Sequence, residues 1–288
     1  QAGQVVTVDE FRMAEKEVIH RFISHLEKHQ SETLKACAFL NRFDQELFLA
    51  LTQGLNIHFP ITQFQDFCST SYTVIIDDAA KVYKIHDMIR GIIRNDSHID
   101  TVNRIISILL AHCDSTFSLE SAARISWVFQ QVFVLLSDYP VQLTYSQMDQ
   151  LLNTAIKIID TGYWKSISSD IDCILHQDEA RQYPAGIYFL HAICLRKQGM
   201  LARAAEIYKT LSDYNGELKN WMPLIRFYSA HVTHLAGGYL KALEQYQALT
   251  LLKETGPRVH EAKQLAYRQL ADLQMLRGQF VSAMNAFE

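Results

Sequence analysis

A chain of 288 residues, 49% hydrophobic and 20% charged, is long enough for about two cores that need no staples. With 11 Gly and 5 Pro it is neither collagen-like nor low-complexity, and 13 Tyr with 15 Phe argue against disorder. A net charge of -4 gives no long-range attraction for nucleic acid or an anionic membrane.

Few helix breakers and many Leu, Ala and Ile favour a mostly α fold. Residues 9 to 29 place Phe11, Val18, Ile19, Phe22, Ile23 and Leu26 on one helical stripe. Ser31 and Glu32 open a second helix that runs through Phe39, and residues 41–44 break it. Asp44 is then the N-cap of a helix over QELFLALTQG, which Gly54 ends. Pro60 and Thr62 precede a short helix over 63–69. After it the period changes: TVII, a turn over Asp77 to Ala80, and KVYKIH read as a two-stranded hairpin. The loop has no glycine, which leaves its turn type open. HDMIRGIIR, from His86, forms the next helix. Three helices, a hairpin and a closing helix make a winged-helix arrangement over 31–98, preceded by residues 1–30. From about residue 100 the signal is helical throughout. NRIISILLAHC and SAARISWVFQQVFVLL, in a lead-in stretch over 99–149, are apolar enough to expect neighbours on more than one side.

Residues 150–288 repeat. Gly199, Gly237 and Gly278 are 38 and 41 residues apart. Each is preceded seven residues earlier by alanine (Ala192, Ala230, Ala271) and followed two later by a large apolar residue (Leu201, Tyr239, Phe280). Alanine returns five after each glycine (Ala204, Ala242, Ala283) and an aromatic nine after (Tyr208, Tyr246, Phe287). A fainter copy surrounds Gly162, with Ala155, Trp164 and Ile171 in register and Ile167 in place of alanine. The glycines let the chain reverse between helices, and the alanines allow close helix axes. The large residues are expected to fill the groove against the next hairpin. Such units stack into an α-α superhelix because none buries its own faces.

These columns resemble the tetratricopeptide pattern, although the periods exceed 34 residues and the closing proline is missing. The last repeat is expected to be truncated, since the chain stops at Glu288 inside an unfinished helix, and Gln1 at the start also suggests an excised piece. The run from Ser31 to about Asn95, in which the hairpin's last strand runs into Ile85-His86-Asp87, resembles the winged-helix domain of the signal-transduction ATPases with numerous domains. The resemblance implies that residues 1–30 are the remnant of a preceding helical domain, that His86 approaches the β-phosphate of bound ADP, and that Asp87 caps the next helix and holds the histidine. It implies a sensor fragment: the solenoid binds a protein or small-molecule ligand, and the winged helix couples this to an ADP/ATP switch in an upstream domain in cis. ADP or ATP with Mg then belongs to the full-length protein and no cofactor to this piece. The chain has no Gly-x-x-x-x-Gly-Lys-[Ser/Thr] and is not expected to be an enzyme alone. The second reading is a stand-alone tetratricopeptide-like adaptor with no nucleotide switch.

Other candidates are weaker. The five cysteines, scattered among apolar residues, read as buried thiols of a reducing, cytoplasmic compartment. No apolar run spans a membrane. Direct nucleic-acid binding is not expected, because residues 61–72 hold no Lys or Arg and the wing tip carries Asp77 and Asp78, against which stand only Lys81 and Lys84. Cys173, His176, His191 and Cys194 fall at i, i+3 spacings that could suit zinc, but packed cysteines and half-exposed histidines are the simpler reading. His231 and His234 share a helix face as a solvated or partner-facing pair.

Overall fold

The computed structural model describes residues 8–177, 183–213, 216, 218–276 and 278. It is mostly helical with one two-stranded antiparallel sheet, and divides into compact units over 1–142 and 143–288. Among the described residues no helix is long and apolar enough to cross a membrane.

In the first unit α1 (Val8–His25) buries Ile19 and Ile23, while Val18 is 66% and Phe22 36% exposed. Among the described side chains the buried row is therefore narrower than the sequence suggests, Ile19 and Ile23 at i, i+4, and the side chain of Phe11 lies outside the description. Helix α2 (Lys28–Cys37) follows, and α3 (Gln45–Gly54) begins where expected, with Asp44 Oδ1 accepting from Leu47 N at 2.8 Å. Gly54 ends α3 as expected and plays a second part as well. It is still helical, and a Cβ there would lie 2.5 Å from Ile108 Cγ1, so it admits a neighbouring helix. The left-handed residue after α3 is Asn56, at φ 59°. A 3-10 turn (Ile61–Gln63) leads into α4 (Phe64–Cys68).

Strands β1 (Thr73–Asp77) and β2 (Val82–Ile85) pair antiparallel from Thr73 opposite Ile85 to Asp77 opposite Val82, with a bulge between Ile75 and Asp77. The open question of the turn is resolved by Lys81, which takes φ 52°, and by Asp77 Oδ1, which accepts from Ala80 N at 2.9 Å. Phe43 adds a bridge to Tyr83, through N–H···O bonds of 2.7 and 2.8 Å. Around it Phe48 meets Phe59, Phe64 and Phe67 at ring-centroid distances of 5.2, 4.9 and 5.3 Å.

Helices α5 (Asp87–Asn95), α6 (Ile99–Thr116) and α7 (Ala122–Asp138) complete this unit. The 99–138 helices lie in the same compact unit as the hairpin and the helices before it. Gln131, 2% exposed, accepts from Asn41 N and donates to Arg42 O, both at 2.7 Å. Arg124 donates to both Asp44 oxygens at 2.7 and 2.9 Å. The chain break at 41–44 is where these helices dock.

Burial pushes the Asp44 carboxyl up, but the Arg124 hydrogen bonds and the Leu47 amide outweigh it and hold the group below its ordinary value. A depressed folded-state pKa contributes stability that is present above the unfolded carboxylate value and lost as pH falls through the folded one. Asp44→Asn keeps a capping side chain and loses the ion pair, so it is expected to destabilise by about 2 kcal/mol at pH 7. Urea titrations at several pH values should show that deficit shrinking below about pH 4.

In the second unit α8 (Tyr145–Ile158) starts at a capping box, with Thr144 N donating to Gln147 Oε1 at 2.8 Å. A π turn (Ile159–Tyr163) joins it to α9 (Trp164–Gln177); α10 (Ala185–Lys197) and α11 (Leu201–Ser212) form the next hairpin. A 3-10 turn (Lys219–Trp221), α12 (Met222–Leu235), α13 (Tyr239–Thr250) and α14 (Pro257–Leu276) follow. The repeat glycines Gly162, Gly199, Gly237 and Gly278 all have positive φ: 100°, 79°, 87° and 73°. At two of them the hydrogen bonds are the same. Gly199 N donates to Arg196 O and Met200 N to Leu195 O; Gly237 N donates to His234 O and Gly238 N to Thr233 O. That is one helix-stop geometry used twice.

Ala155, Ala192, Ala230, Ala271, Ala204 and Ala242 are all fully buried, as are Ile167, Tyr208 and Tyr246. The column two residues after each glycine is a correction. Tyr239 is 57% exposed and Leu201 only half-buried, because Trp164, Leu201 and Tyr239 are each the first residue of a helix, beside the turn rather than over the core. Phe280, Ala283 and Phe287 lie outside the described residues.

Candidate functional site

His86 stands between β2 and α5. Its amide donates to Tyr72 O at 2.9 Å, and its exposed side chain is the N-cap of α5, Nδ1 accepting from Met88 N at 3.4 Å. The cap is therefore the histidine and not, as the sequence suggested, Asp87. An Nδ1 that accepts leaves the proton of the neutral ring on Nε2, which becomes the free donor.

Asp87 is the first residue of α5, and its carboxylate joins two cations: Lys84 Nζ at 2.6 Å and Arg90 Nη1 at 3.2 Å. The Lys84 hydrogen bond, with the charges of Lys84 and Arg90, holds its carboxyl below the usual range. Arg90 continues the chain of contacts, donating from Nε to Ala38 O at 3.3 Å and pairing with Asn41 Oδ1. The histidine junction is thus tied through Asp87 and Arg90 to the end of α2 and the 41–44 break. Arg94, one turn on, pairs with Asp138 and lies 5.8 Å from the Tyr139 ring centre.

The neighbouring lysines are committed as well. Lys81 bonds Asp78 at 2.7 Å. Helix α4 has five residues, of which Phe64, Phe67 and Cys68 are buried, so its outer face presents no cation to a phosphate backbone.

The second unit holds a group that sequence reasoning only half found. His231, singled out by its spacing, and Tyr228 flank Arg196, which no spacing marked. The Arg196 guanidinium lies 5.1 Å from the Tyr228 ring centre, and its Nη1 is 3.4 Å from His231 Nδ1. Burial, then Arg196, pushes the His231 pKa down to about 4, so the ring is neutral near pH 7. Trp221 is similarly enclosed: Nε1 donates to Asp149 at 3.0 Å, and the Arg258 guanidinium stacks 3.9 Å from the ring centre. No local pattern marks Arg196 or Arg258, since the rings they lie against belong to other elements.

The zinc alternative finds other partners. His191 Nε2 is 3.2 Å from Asp172 Oδ1, and His176 Nδ1 2.6 Å from Asp172 O. Cys194 is buried and its thiol pushed up to about 12 by burial, as are those of Cys68 and Cys113. Among the described residues no group of three or more His, Cys, Asp or Glu is arranged to hold a metal.

No family model matches the chain, and no curated protein matches it. Among solved structures it is similar to a signal-transduction ATPase with numerous domains, bearing a tetratricopeptide repeat sensor, from Pyrococcus horikoshii. The identity is 13% and the TM-score 0.38, over 99% of this chain and 46% of that one. The likeness is distant, and this chain spans under half the length of that neighbour.

Proposed function

We propose that the chain is the regulatory and sensor portion of a signalling NTPase of the cytoplasm. Residues 31–98 act as a winged helix, and the repeats after residue 150 bind a protein or small-molecule ligand. Ligand binding shifts the winged helix between two positions relative to an ADP/ATP switch in an upstream domain, so solenoid and nucleotide site are coupled. The chain contributes no P-loop, and the nucleotide with its Mg belongs to that upstream domain.

The observation that carries this reading is the exposed His86 ring at the strand–helix junction, with Nδ1 occupied by its own helix and Nε2 left as donor. Such a donor fits a phosphate oxygen. The Asp87–Arg90 contacts fix the backbone beneath it, so movement of that backbone would carry the donor with it.

A charge-assisted hydrogen bond of about 1.5–3 kcal/mol corresponds to roughly ten- to a hundredfold in affinity. His86→Ala in the full-length protein is therefore expected to speed ADP release at least tenfold, followed by nucleotide retained after gel filtration. Unchanged retention with ADP bound would sink the sensor role of His86. Absence of bound nucleotide in the wild-type full-length protein would instead favour the adaptor reading.

A further inference from the structure

A cleft of about 740 Å3 opens in the first unit, between α1, α2, the chain after α3 and the junction of α5 with α6. That volume suits a small organic ligand. His86 is not among the residues that line it. Its floor is apolar: Ile23, Ala36, Phe39 and Ile93 are each buried.

Six basic side chains stand around that floor: His20, His29, His58, His98, Lys28 and Lys35. Two acids, Glu32 and Asp96, also line the cleft. Asp96 is already engaged by Lys16 Nζ at 2.6 Å and His20 Nε2 at 2.9 Å, and Glu32 lies 3.9 Å from Lys28. The His29 ring packs 5.3 Å from Phe59, its Nδ1 is 3.4 Å from Glu27, and its Nε2 is buried with no hydrogen-bond partner.

Two helices also begin at this cleft. Neither Glu27 before α2 nor His98 before α6 caps its helix with a side chain. The N-terminal ends of these helices, with the positive ends of their dipoles, lie beside the lining residues Lys28, His98 and Thr101. Donors outnumber uncommitted acceptors, and they surround an apolar floor.

We propose that this cleft binds an organic oxyanion, a carboxylate or phosphate attached to an apolar body. The head takes hydrogen bonds from Lys28, Lys35 and the imidazoles, and the body lies against Ile23, Phe39 and Ile93. The site is separate from the sensor reading of the solenoid and from His86, and stands or falls independently of both.

The test is a titration of the 288-residue chain with phenyl phosphate, benzoate and inorganic phosphate, followed by the imidazole NMR signals. Phenyl phosphate or benzoate is expected to shift His29, His58 and His98 ahead of His176, His191 and His260, and whichever binds tighter identifies the head group. Inorganic phosphate alone should bind at least tenfold more weakly, because it leaves the floor uncovered. The double variant Lys28→Glu, Lys35→Glu changes two exposed side chains and should weaken the organic ligand at least tenfold with unchanged far-UV circular dichroism. Equal affinity for inorganic phosphate means an adventitious ion only and overturns the proposal. So does unaltered affinity in the double variant, or a shift spread evenly over all histidines.

Discussion

Phe48→Ala is expected to destabilise residues 1–142 by about 4 kcal/mol. Phe48 has no exposed surface, and its ring touches those of Phe43, Phe59, Phe64 and Phe67. These rings come from the 41–44 break, the chain after α3, and α4, so truncation opens a cavity where three short segments meet. Such segments have little local stability and cannot collapse far into the gap, since each is anchored by its own turn. With a urea dependence of about 2 kcal/mol per molar, the unfolding midpoint of this unit should fall by about 2 M. Phe48→Leu, which retains most of the volume, should fall by less than half of that. A loss under about 1 kcal/mol for the alanine variant would contradict the packing described for this unit.

Trp221→Ala should have an effect of similar size on residues 143–288, about 3–5 kcal/mol. The indole is 2% exposed, donates to Asp149, carries the Arg258 guanidinium on its face and lies 6.0 Å from Phe189. Its partners lie on α8, α10 and α14, so one side chain ties together helices that are far apart in the chain. A shift of about 12 °C in the thermal midpoint of this unit is the expected reading by calorimetry. Trp221→Phe separates the two contributions: it keeps the stacking surface for Arg258 and removes the Asp149 hydrogen bond, so it should cost about 1 kcal/mol. Equal losses for Trp221→Ala and Trp221→Phe would mean that the hydrogen bond, and not the buried ring, dominates.

Much of the fold is legible locally, because the features that announce it act within a few residues. Asp44 caps α3 from its own sequence position, and the repeat glycines reach positive φ because only a residue without Cβ does so freely. The buried alanines follow for the same reason: axes that approach closely exclude larger groups at those columns whatever the neighbour is. The glycine at position 54 could be read only in part, because the same residue type serves two ends. A turn and a close helix contact both need a missing side chain, and only the position of Ile108 distinguishes them. The apolar residues after the repeat glycines misled because a helix's first residue looks like a core residue in a sequence and sits at the turn in space.

The candidate site divides in the same way. The residue types His86 and Asp87 and their place after a strand could be read directly, but not which of them caps the helix. That depends on backbone geometry at one junction, which lets His86 Nδ1 reach the Met88 amide and sends the Asp87 carboxylate to Lys84 and Arg90. The sequence by itself determined the helical class, the hairpin after residue 72 and the repeat in the second half, all products of short-range periodicity and of residues with special backbone freedom. Only the tertiary structure decided that residues 99–138 dock on the 41–44 break, that Arg196 lies against Tyr228 and His231, and that donors from two helices and two connecting segments surround one apolar floor. Those are contacts between segments far apart in the chain. Their partners are chosen by three-dimensional packing, which leaves no period or spacing in the sequence.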